Sequence, residues 1–243
     1  MKSTRVPKTS GFTLVELLVV IVIIASLAAL GLTIGPRMLA RAKATESMQN
    51  IRQISPLLTT YAADHAMTLP PIRGPVTQPD GTVTDMQWNE VCLTLLYPST
   101  DPEKLKQKSW WDQNKVVLKN PMFKDNTVLN PGYAMNEMIV ENIEAADAST
   151  PASGDPLAVS VRLAMVPEPA RTPLIAPFNL FRFRFDDAQV ASFQSGVLKG
   201  LLSEGKLPIV FMDGHLEMLT PNEYRDRRLA AMPDSGSSSN PAP

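Results

Sequence analysis

The chain has few of the residues that build metal centres or covalent cross-links. Its 243 residues include one cysteine, Cys92, and two histidines, His65 and His215. One thiol cannot form an intramolecular disulfide, and two histidines give little support to a zinc site. The sequence also has no Walker loop, no Gly-x-Ser-x-Gly elbow, no Cys-x-x-Cys pair and no His-Glu-x-x-His pair. We therefore expect no enzymatic activity, no metal site and no cofactor, while calcium binding stays open.

An excess of charge of either sign is also missing. Lys and Arg number 23 against 24 Asp and Glu, for a formal net charge of −1. A chain without a basic field has little electrostatic attraction for nucleic acid, so we expect nucleic acid to be an unlikely partner. Residues 1–11 contain three basic and no acidic side chains, so their removal would leave a mildly acidic protein.

Charge is almost absent from one long apolar run near the N-terminus. Residues 12–34 form a stretch of 23 residues in which Glu16 is the only ionisable side chain. About 20 apolar residues in a helix cross a bilayer core, whereas the apolar region of a secretory signal has only about 7–15. An acidic side chain inside such a helix costs about 2.5–3.5 kcal/mol on insertion scales. We therefore predict a transmembrane helix in which Glu16 has either a partner that compensates its charge or a specific function.

The residues around that glutamate form a specific pattern. A short basic leader ends at Gly11, an aromatic residue follows at Phe12, and Thr-Leu-Val precedes Glu16. This arrangement resembles the class III prepilin signal of the type IV pilin and type II secretion pseudopilin superfamily. The resemblance implies that prepilin peptidase cuts after Gly11 and methylates Phe12, and that the helix becomes the core of a filament. The alternative is an ordinary signal anchor in which Glu16 lies at the membrane interface.

Cleavage at this position would give Glu16 a counter-charge. The new α-amino group on Phe12 would lie about one helical turn from the carboxylate, on the same subunit or on a neighbour. The resemblance favours the neighbour, which would make Glu16 the residue that sets the register of each incoming subunit. The basic residues flanking residues 12–34 are nearly balanced, so the cytoplasmic N-terminus is implied mainly by the resemblance.

The helix is predicted to continue beyond the apolar run. Apolar residues recur at mostly helical spacing as far as Tyr61, and polar residues lie between them. We predict one helix over residues 12–65, with bends at Gly35-Pro36 and at Pro56. The alternative is two helices joined at Gly35-Pro36.

The remaining residues predict a mixed α+β head. Residues 87–97 and the residues after Asp101 should be helical, and residues 69–81 should be irregular because they are rich in proline. Residues 157–163 and 178–185 alternate like strands, the second with arginines on one face. Trp110-Trp111 is interpreted as a packing anchor and Cys92 as a small buried side chain.

A second resemblance lies in the C-terminal half. Residues 208–219 place two apolar runs around Asp213-Gly214, which predicts a β-hairpin with a type I′ turn. Together with the Tyr-x-x-Asn element at 133–136, this segment resembles large pseudopilin-like proteins, in one branch of which a histidine precedes Asp-Gly by ten positions. That position is Ser203 here. We interpret the polar side chains at 213, 215 and 217 as solvated. A Thr-Pro-Asn-Glu capping box at 220–223 predicts a final helix to about residue 231.

The sequence thus predicts five segments. They are a leader over 1–11, a transmembrane or filament-core helix over 12–34, an amphipathic continuation over 35–66, a head over 67–232 and a disordered tail over 233–243. The predicted fold is pilin-like: a long N-terminal helix packed on a small, mainly antiparallel sheet.

The predicted function is that of a structural filament subunit. Its expected partners are other filament subunits, prepilin peptidase, the inner-membrane assembly machinery and membrane lipid. We expect a single-pass inner-membrane protein whose N-terminus is cytoplasmic and whose head is periplasmic, and then a periplasmic or extracellular filament. The sequence does not distinguish a secretion pseudopilus from a pilus for adhesion, motility or DNA uptake, or a major from a minor subunit. The competing hypothesis is a non-polymerising binding protein or enzyme on a pilin-type anchor.

Overall fold

A computed structural model describes residues 12–78, 80–123, 130–139, 156–166, 168–184, 186–194 and 198–231. The predicted leader over 1–11, including Gly11, and the predicted tail over 233–243 lie outside these residues. The chain divides into two compact units, Met1–Ala42 and Lys43–Pro243, which we call the first unit and the second unit. Each unit is described by itself.

One helix runs through the first unit and into the second. Helix α1 spans Leu14–Asp64, 51 residues, and its helical assignment is unbroken at Gly35 and Pro36. The prediction of a single element is therefore confirmed, and the alternative of two helices is not. The bends expected at Gly35-Pro36 and at Pro56 stay predictions.

The second unit contains the C-terminal part of α1, followed by short helices and strands. Its further helices are α2 (Trp88–Leu96), α3 (Pro102–Leu105), α4 (Lys108–Gln113), α5 (Asp187–Gln194) and α6 (Pro221–Ala231). Its strands are β1 (Arg73–Thr77), β2 (Val83–Gln87), β3 (Tyr133–Asn136), β4 (Pro173–Pro177), β5 (Arg182–Phe183), β6 (Leu207–Phe211) and β7 (Leu216–Leu219). Short 3-10 turns occur at Pro156–Ala158, Leu163–Met165 and Lys199–Leu201.

The strands form two sheets. Strands β1 and β2 pair as an antiparallel hairpin, and the larger sheet has the order β5-β3-β4-β6-β7. All neighbours in the larger sheet are antiparallel except β3 and β5, which are parallel. The α+β class and the mainly antiparallel sheet are thus confirmed.

The larger sheet is covered on both faces. Tyr133, Ile175 and Val210 belong to one buried cluster, together with Ile54 and Leu58 of α1. The alternate residues belong to a second cluster with α5 and α6: Ala134, Ala176, Ile209, Phe211, Val190, Phe193 and Tyr224. Since successive strand residues point to opposite faces, the central strands are buried on both sides.

Tyr133 joins α1 to the sheet by polar contacts as well as by packing. Its hydroxyl donates to the Ser47 carbonyl and contacts Ser47 Oγ, each at 3.2 Å, and burial raises the pKa of this phenol. At the other end of β3, Asn136 Nδ2 donates to the Pro173 carbonyl at 2.9 Å, and its Oδ1 accepts from the Met138 amide at 3.1 Å. The two polar residues of the Tyr-x-x-Asn element therefore fix both ends of β3.

Several local predictions are confirmed. Helices α2 and α3 begin where expected, and Asp101 caps α3 by accepting from the Glu103 amide at 3.0 Å. Trp111 is fully buried, and its indole donates to the Leu105 carbonyl at 2.7 Å. Cys92 is also buried, which raises the pKa of its thiol far above the ordinary value. Both side chains pack inside the second unit, as predicted.

The prediction of an irregular loop over residues 69–81 is wrong. Residues Arg73–Thr77 form β1, and Pro75 pairs with Asp85 of β2. Proline has no amide hydrogen to donate. It can therefore lie in a strand at a position where no neighbouring strand needs a hydrogen bond from it. Gly74 allows β1 to lie close to Ala158, because a Cβ at position 74 would be only 2.8 Å from the Ala158 Cα.

The two alternating segments also differ from expectation. Residues 157–163 form no long strand, since 3-10 turns lie at both ends and only Arg162 makes a bridge, to Thr68. In the segment 178–185, β5 is restricted to Arg182–Phe183, and residue 185 lies outside the described residues. Both segments have the alternating hydrophobicity of a strand, but a strand also needs a neighbouring strand whose backbone groups can pair with it.

The predicted basic outer face of that segment is mostly neutralised. The Arg182 guanidinium donates to Glu137 Oε2 at 2.6 Å, and the Arg184 guanidinium contacts the other oxygen of the same carboxylate. Only 7% of the Glu137 side chain is exposed. A buried carboxylate needs such partners, so these arginines hold Glu137 in the fold.

The hairpin at 208–219 is confirmed, but its predicted turn type is wrong. Strands β6 and β7 are antiparallel, and Phe211 and His215 close a three-residue loop in which Gly214 alone has a positive φ, +88°. A type I′ turn needs positive φ at both central residues. That geometry occurs instead at Glu204-Gly205, with φ of 53° and 81°, where Ser203 and Lys206 exchange two backbone hydrogen bonds.

Candidate assembly site at the start of the long helix

The N-terminus of α1 begins with a capping box. Thr13 precedes the helix, and its hydroxyl accepts from the Glu16 amide at 3.3 Å. In return, Glu16 Oε2 accepts from the Thr13 amide and from the Thr13 hydroxyl, each at 2.9 Å. This reciprocal arrangement satisfies amides that have no partner inside the helix, and an acidic side chain in the first turn also suits the helix dipole.

One oxygen of Glu16 is left for another donor. Both hydrogen bonds to the carboxylate end on Oε2, and within the described residues no hydrogen bond reaches Oε1. A carboxylate has about four lone-pair sites, so Oε1 can accept from a cation while the capping box stays intact. An amine at the start of residue 12 would be close enough in sequence to serve.

Phe12 lies immediately before this cap and is 82% exposed. Phe12 and Glu16, which the sequence predicts to act together, are four positions apart at the start of α1, and Phe12 itself precedes the helix. Gly11, the predicted residue before the cut, lies outside the described residues. The roles of Gly11, Phe12 and Glu16 in cleavage, methylation and register stay predictions.

Sequence reasoning missed Thr13. Yet the capping-box pattern Thr-x-x-Glu occurs at 13–16, directly before an apolar run, as well as at 220–223. Thr13 holds Glu16 in place, so it is a positioning residue for any function of that carboxylate.

An apolar surface follows the cap. Wherever the side chains of the first unit are described, they are exposed, and they include large apolar residues on every side of the helix. These are Leu14, Val15, Leu17, Leu18, Val19, Val20, Ile21, Val22, Ile23, Ile24, Leu27, Leu32, Met38 and Leu39. A helix that is apolar all round is normally covered by lipid or by other protein.

The short segment around the cap matches a known family model. Residues 7–32 match the prokaryotic N-terminal methylation motif, which includes Phe12, Thr13 and Glu16. Neither the curated proteins nor the solved structures include a significant match to the chain. Among the described residues, no helix combines the length and the apolar character of a membrane span. This motif is the prepilin-type signal of type IV pilins and pseudopilins; it supports a processed precursor of that type and implies a substrate of prepilin peptidase.

Proposed function

We propose that the chain is a structural subunit of a type IV pilus-like or type II secretion pseudopilus filament. Prepilin peptidase cuts after Gly11 and methylates Phe12, and the mature chain is assembled from the inner membrane. Before assembly the N-terminus is cytoplasmic, residues 12–34 cross the membrane, and the head is periplasmic. In this proposal the head makes structural contacts and carries no catalytic activity.

The observation that supports this proposal most strongly is the prepilin-type signal at 7–32. The exposed apolar surface of the first unit adds a physical reason for assembly. Side chains such as Ile21 and Leu27 are more than half exposed, and they gain free energy when lipid or another subunit covers them. A lipid bilayer and the core of a filament can cover the same surface in turn.

Glu16 supplies the polar contact in this apolar environment. After cleavage the α-amino group of Phe12, on a neighbouring subunit, can bind the Glu16 Oε1 atom that the capping box leaves available. An ion pair in a low-dielectric environment is strongly attractive, and an unpaired charge there is costly. An incoming subunit is therefore most stable in the one register that brings amine and carboxylate together.

Replacement of the carboxylate tests this proposal. We expect Glu16→Ala to leave membrane insertion and the thermal unfolding of the second unit unchanged and to abolish filaments. Electron microscopy of sheared surface material measures filaments, and fractionation measures insertion. Glu223→Ala is the matched control, because Glu223 forms the corresponding capping box on α6. The control should lower stability slightly and still give filaments.

The N-terminus of the purified native chain gives a second test. Intact mass spectrometry should find residues 12–243 with one additional methyl group on Phe12. A chain that still begins at Met1, or normal filaments from Glu16→Ala, would contradict the proposal. Retention of a specific binding or catalytic activity by the head on an unrelated membrane span, without filaments, would favour the anchor hypothesis instead.

A further inference from the structure

The β6–β7 loop places a histidine between two carboxylates. His215 Nδ1 lies 2.5 Å from Asp213 Oδ1, and Nε2 lies 3.3 Å from Glu217 Oε1. The imidazole also stacks on the Phe211 ring, with centroids 4.4 Å apart and planes 8° apart. Each of the three polar side chains is about one-third exposed. The ring is therefore held at both nitrogens and on one face while water still reaches it.

The number of protons on the ring decides how many of these contacts can be hydrogen bonds. Ionised carboxylates only accept, and a neutral imidazole has one N–H and one lone pair. Both contacts are hydrogen bonds only when His215 is the doubly protonated imidazolium. With a neutral ring, one nitrogen would present its lone pair to a carboxylate, which is repulsive.

The geometry also shows which contact survives deprotonation. Asp213 Oδ1 is fixed by a second hydrogen bond, from the His215 amide at 3.1 Å. Desolvation acts to raise the pKa of Asp213, but the hydrogen bonds from the side chain and amide of His215 hold this pKa below its usual value. Asp213 therefore stays ionised when histidine titrates, and the neutral ring keeps its proton on Nδ1, facing Asp213. Nε2 then presents its lone pair to Glu217.

A shared metal ion does not explain the cluster. The two ring nitrogens point away from each other, so the carboxylates on their two sides cannot meet at one ion. Among the described residues, no group of three His, Cys, Asp or Glu side chains has an arrangement that could hold a metal.

We propose that His215 is a pH-responsive clasp of the β6–β7 hairpin. Protonated His215 ties Asp213 in the loop to Glu217 on β7, the edge strand of the larger sheet, and neutral His215 holds Asp213 and releases Glu217. Asp213 and Glu217 are the charged groups that contact the ring from the loop and from β7, and β6 presents the uncharged Phe211.

The sign of the pH dependence follows from these contacts. The stabilisation exists where the imidazole is charged and is lost as the pH rises and the ring loses its proton. It is also lost in strong acid, where the carboxylates become protonated. Free histidine changes charge between about pH 5 and pH 8, so the comparison is made at these two pH values.

Thermal unfolding of the full-length chain in a mild detergent at these two pH values tests the clasp. His215→Gln should lower the Tm by about 2–4 °C at pH 5 and by much less at pH 8. His65→Gln is the matched control, because within the described part of the chain His65 Nδ1 contacts a carbonyl, that of Tyr61 at 2.8 Å, and no carboxylate. Its effect should be the same at both pH values. An equal effect of His215→Gln at both pH values would show a loss of packing and would overturn the proposal.

Two further tests of the clasp, a second variant and a spectroscopic measurement, remain valid even if His215→Gln does not fold. Glu217→Gln should weaken the pH dependence of the Tm, because its amide can accept from a charged ring and donate to a neutral one. Nitrogen-15 NMR at pH 8 should find the His215 proton on Nδ1, and His65→Gln assigns the signals because the chain has only two histidines. A pH dependence unchanged in Glu217→Gln, or a neutral His215 protonated on Nε2, would refute the clasp.

Discussion

Helices α1 and α6 begin with the same four-residue pattern, and their surroundings are opposite. At α1 the Glu16 carboxylate accepts from the Thr13 amide at 2.9 Å, and at α6 the Glu223 carboxylate accepts from the Thr220 amide at 2.8 Å. The reciprocal bonds, from each glutamate amide to the threonine hydroxyl, measure 3.3 and 3.1 Å. The local hydrogen bonding of the two boxes is therefore nearly identical.

The helices that the two boxes start have different surfaces. Helix α6 has five charged residues among its eleven, and Tyr224 anchors it in the core of the second unit. Helix α1 continues with exposed apolar side chains, and its first part, as far as residue 32, lies within the prepilin-type signal. A capping box explains how a helix begins and gives no indication of assembly by itself. The role proposed for Glu16 rests on the apolar surface and the signal around it.

Replacing each capping glutamate by glutamine removes its charge but keeps its hydrogen bonds. This pair of variants gives the clearest comparison of the two helices and the largest expected effect, which is on filament yield. A glutamine at either position can still accept from the threonine, so both helices should form normally in Glu16→Gln and Glu223→Gln. We expect Glu16→Gln to lose filaments because the terminal amine no longer finds an anion, and Glu223→Gln to assemble normally. Filament yield by electron microscopy, with circular dichroism for helicity, measures both. A normal filament yield from Glu16→Gln would show that Glu16 acts only as a helix cap.

A change of one isoleucine in each unit should give the next largest effect. Ile54 is fully buried in the second unit, whereas Ile21 in the first unit is more than half exposed. Ile54→Ala should destabilise the second unit by about 2–5 kcal/mol, because it removes buried apolar surface and leaves a cavity. Ile21→Ala should leave the unfolding transition unchanged and weaken filaments. Denaturant unfolding in detergent measures the first effect and shear resistance of filaments the second.

Loss of the threonine hydroxyls should give the smallest effect. Thr220→Val removes an N-cap and should cost about 1 kcal/mol of stability in the second unit. Thr13→Val should leave that stability unchanged, and it should lower filament yield because Glu16 is no longer held in place. Thermal unfolding and filament counts on the same preparations check both. If the two variants changed thermal unfolding equally, both capping boxes would contribute equally to stability, and the predicted difference between them would be wrong.

Features set by adjacent residues could be predicted from the sequence. The start of α3 at Asp101, the box at 220–223 and the end of α6 at Ala231 depend on side chains within a few positions. The continuity of α1 was predictable because apolar spacing continues past Gly35 and Pro36. The same local reasoning would have found Thr13.

Features that depend on distant partners could not be predicted. Residues 157–163 alternate correctly for a strand, but a strand also needs a neighbour with free hydrogen-bonding groups, and the sequence does not specify one. The contact of Arg182 with Glu137 joins residues 45 positions apart. The bonds between His215 and its two carboxylates depend on a three-residue loop that brings Asp213 and Glu217 to opposite edges of one ring.

Cys92 has a practical consequence for experiments on assembly. Its thiol is the only one in the chain, lies out of reach of solvent, and resists ionisation because burial raises its pKa. Alkylating and disulfide-forming reagents need an accessible thiolate, so the native protein should be nearly inert towards them. A cysteine introduced at any exposed position would then be the single reactive handle, and cross-links between copies would map subunit neighbours without a cysteine-free background.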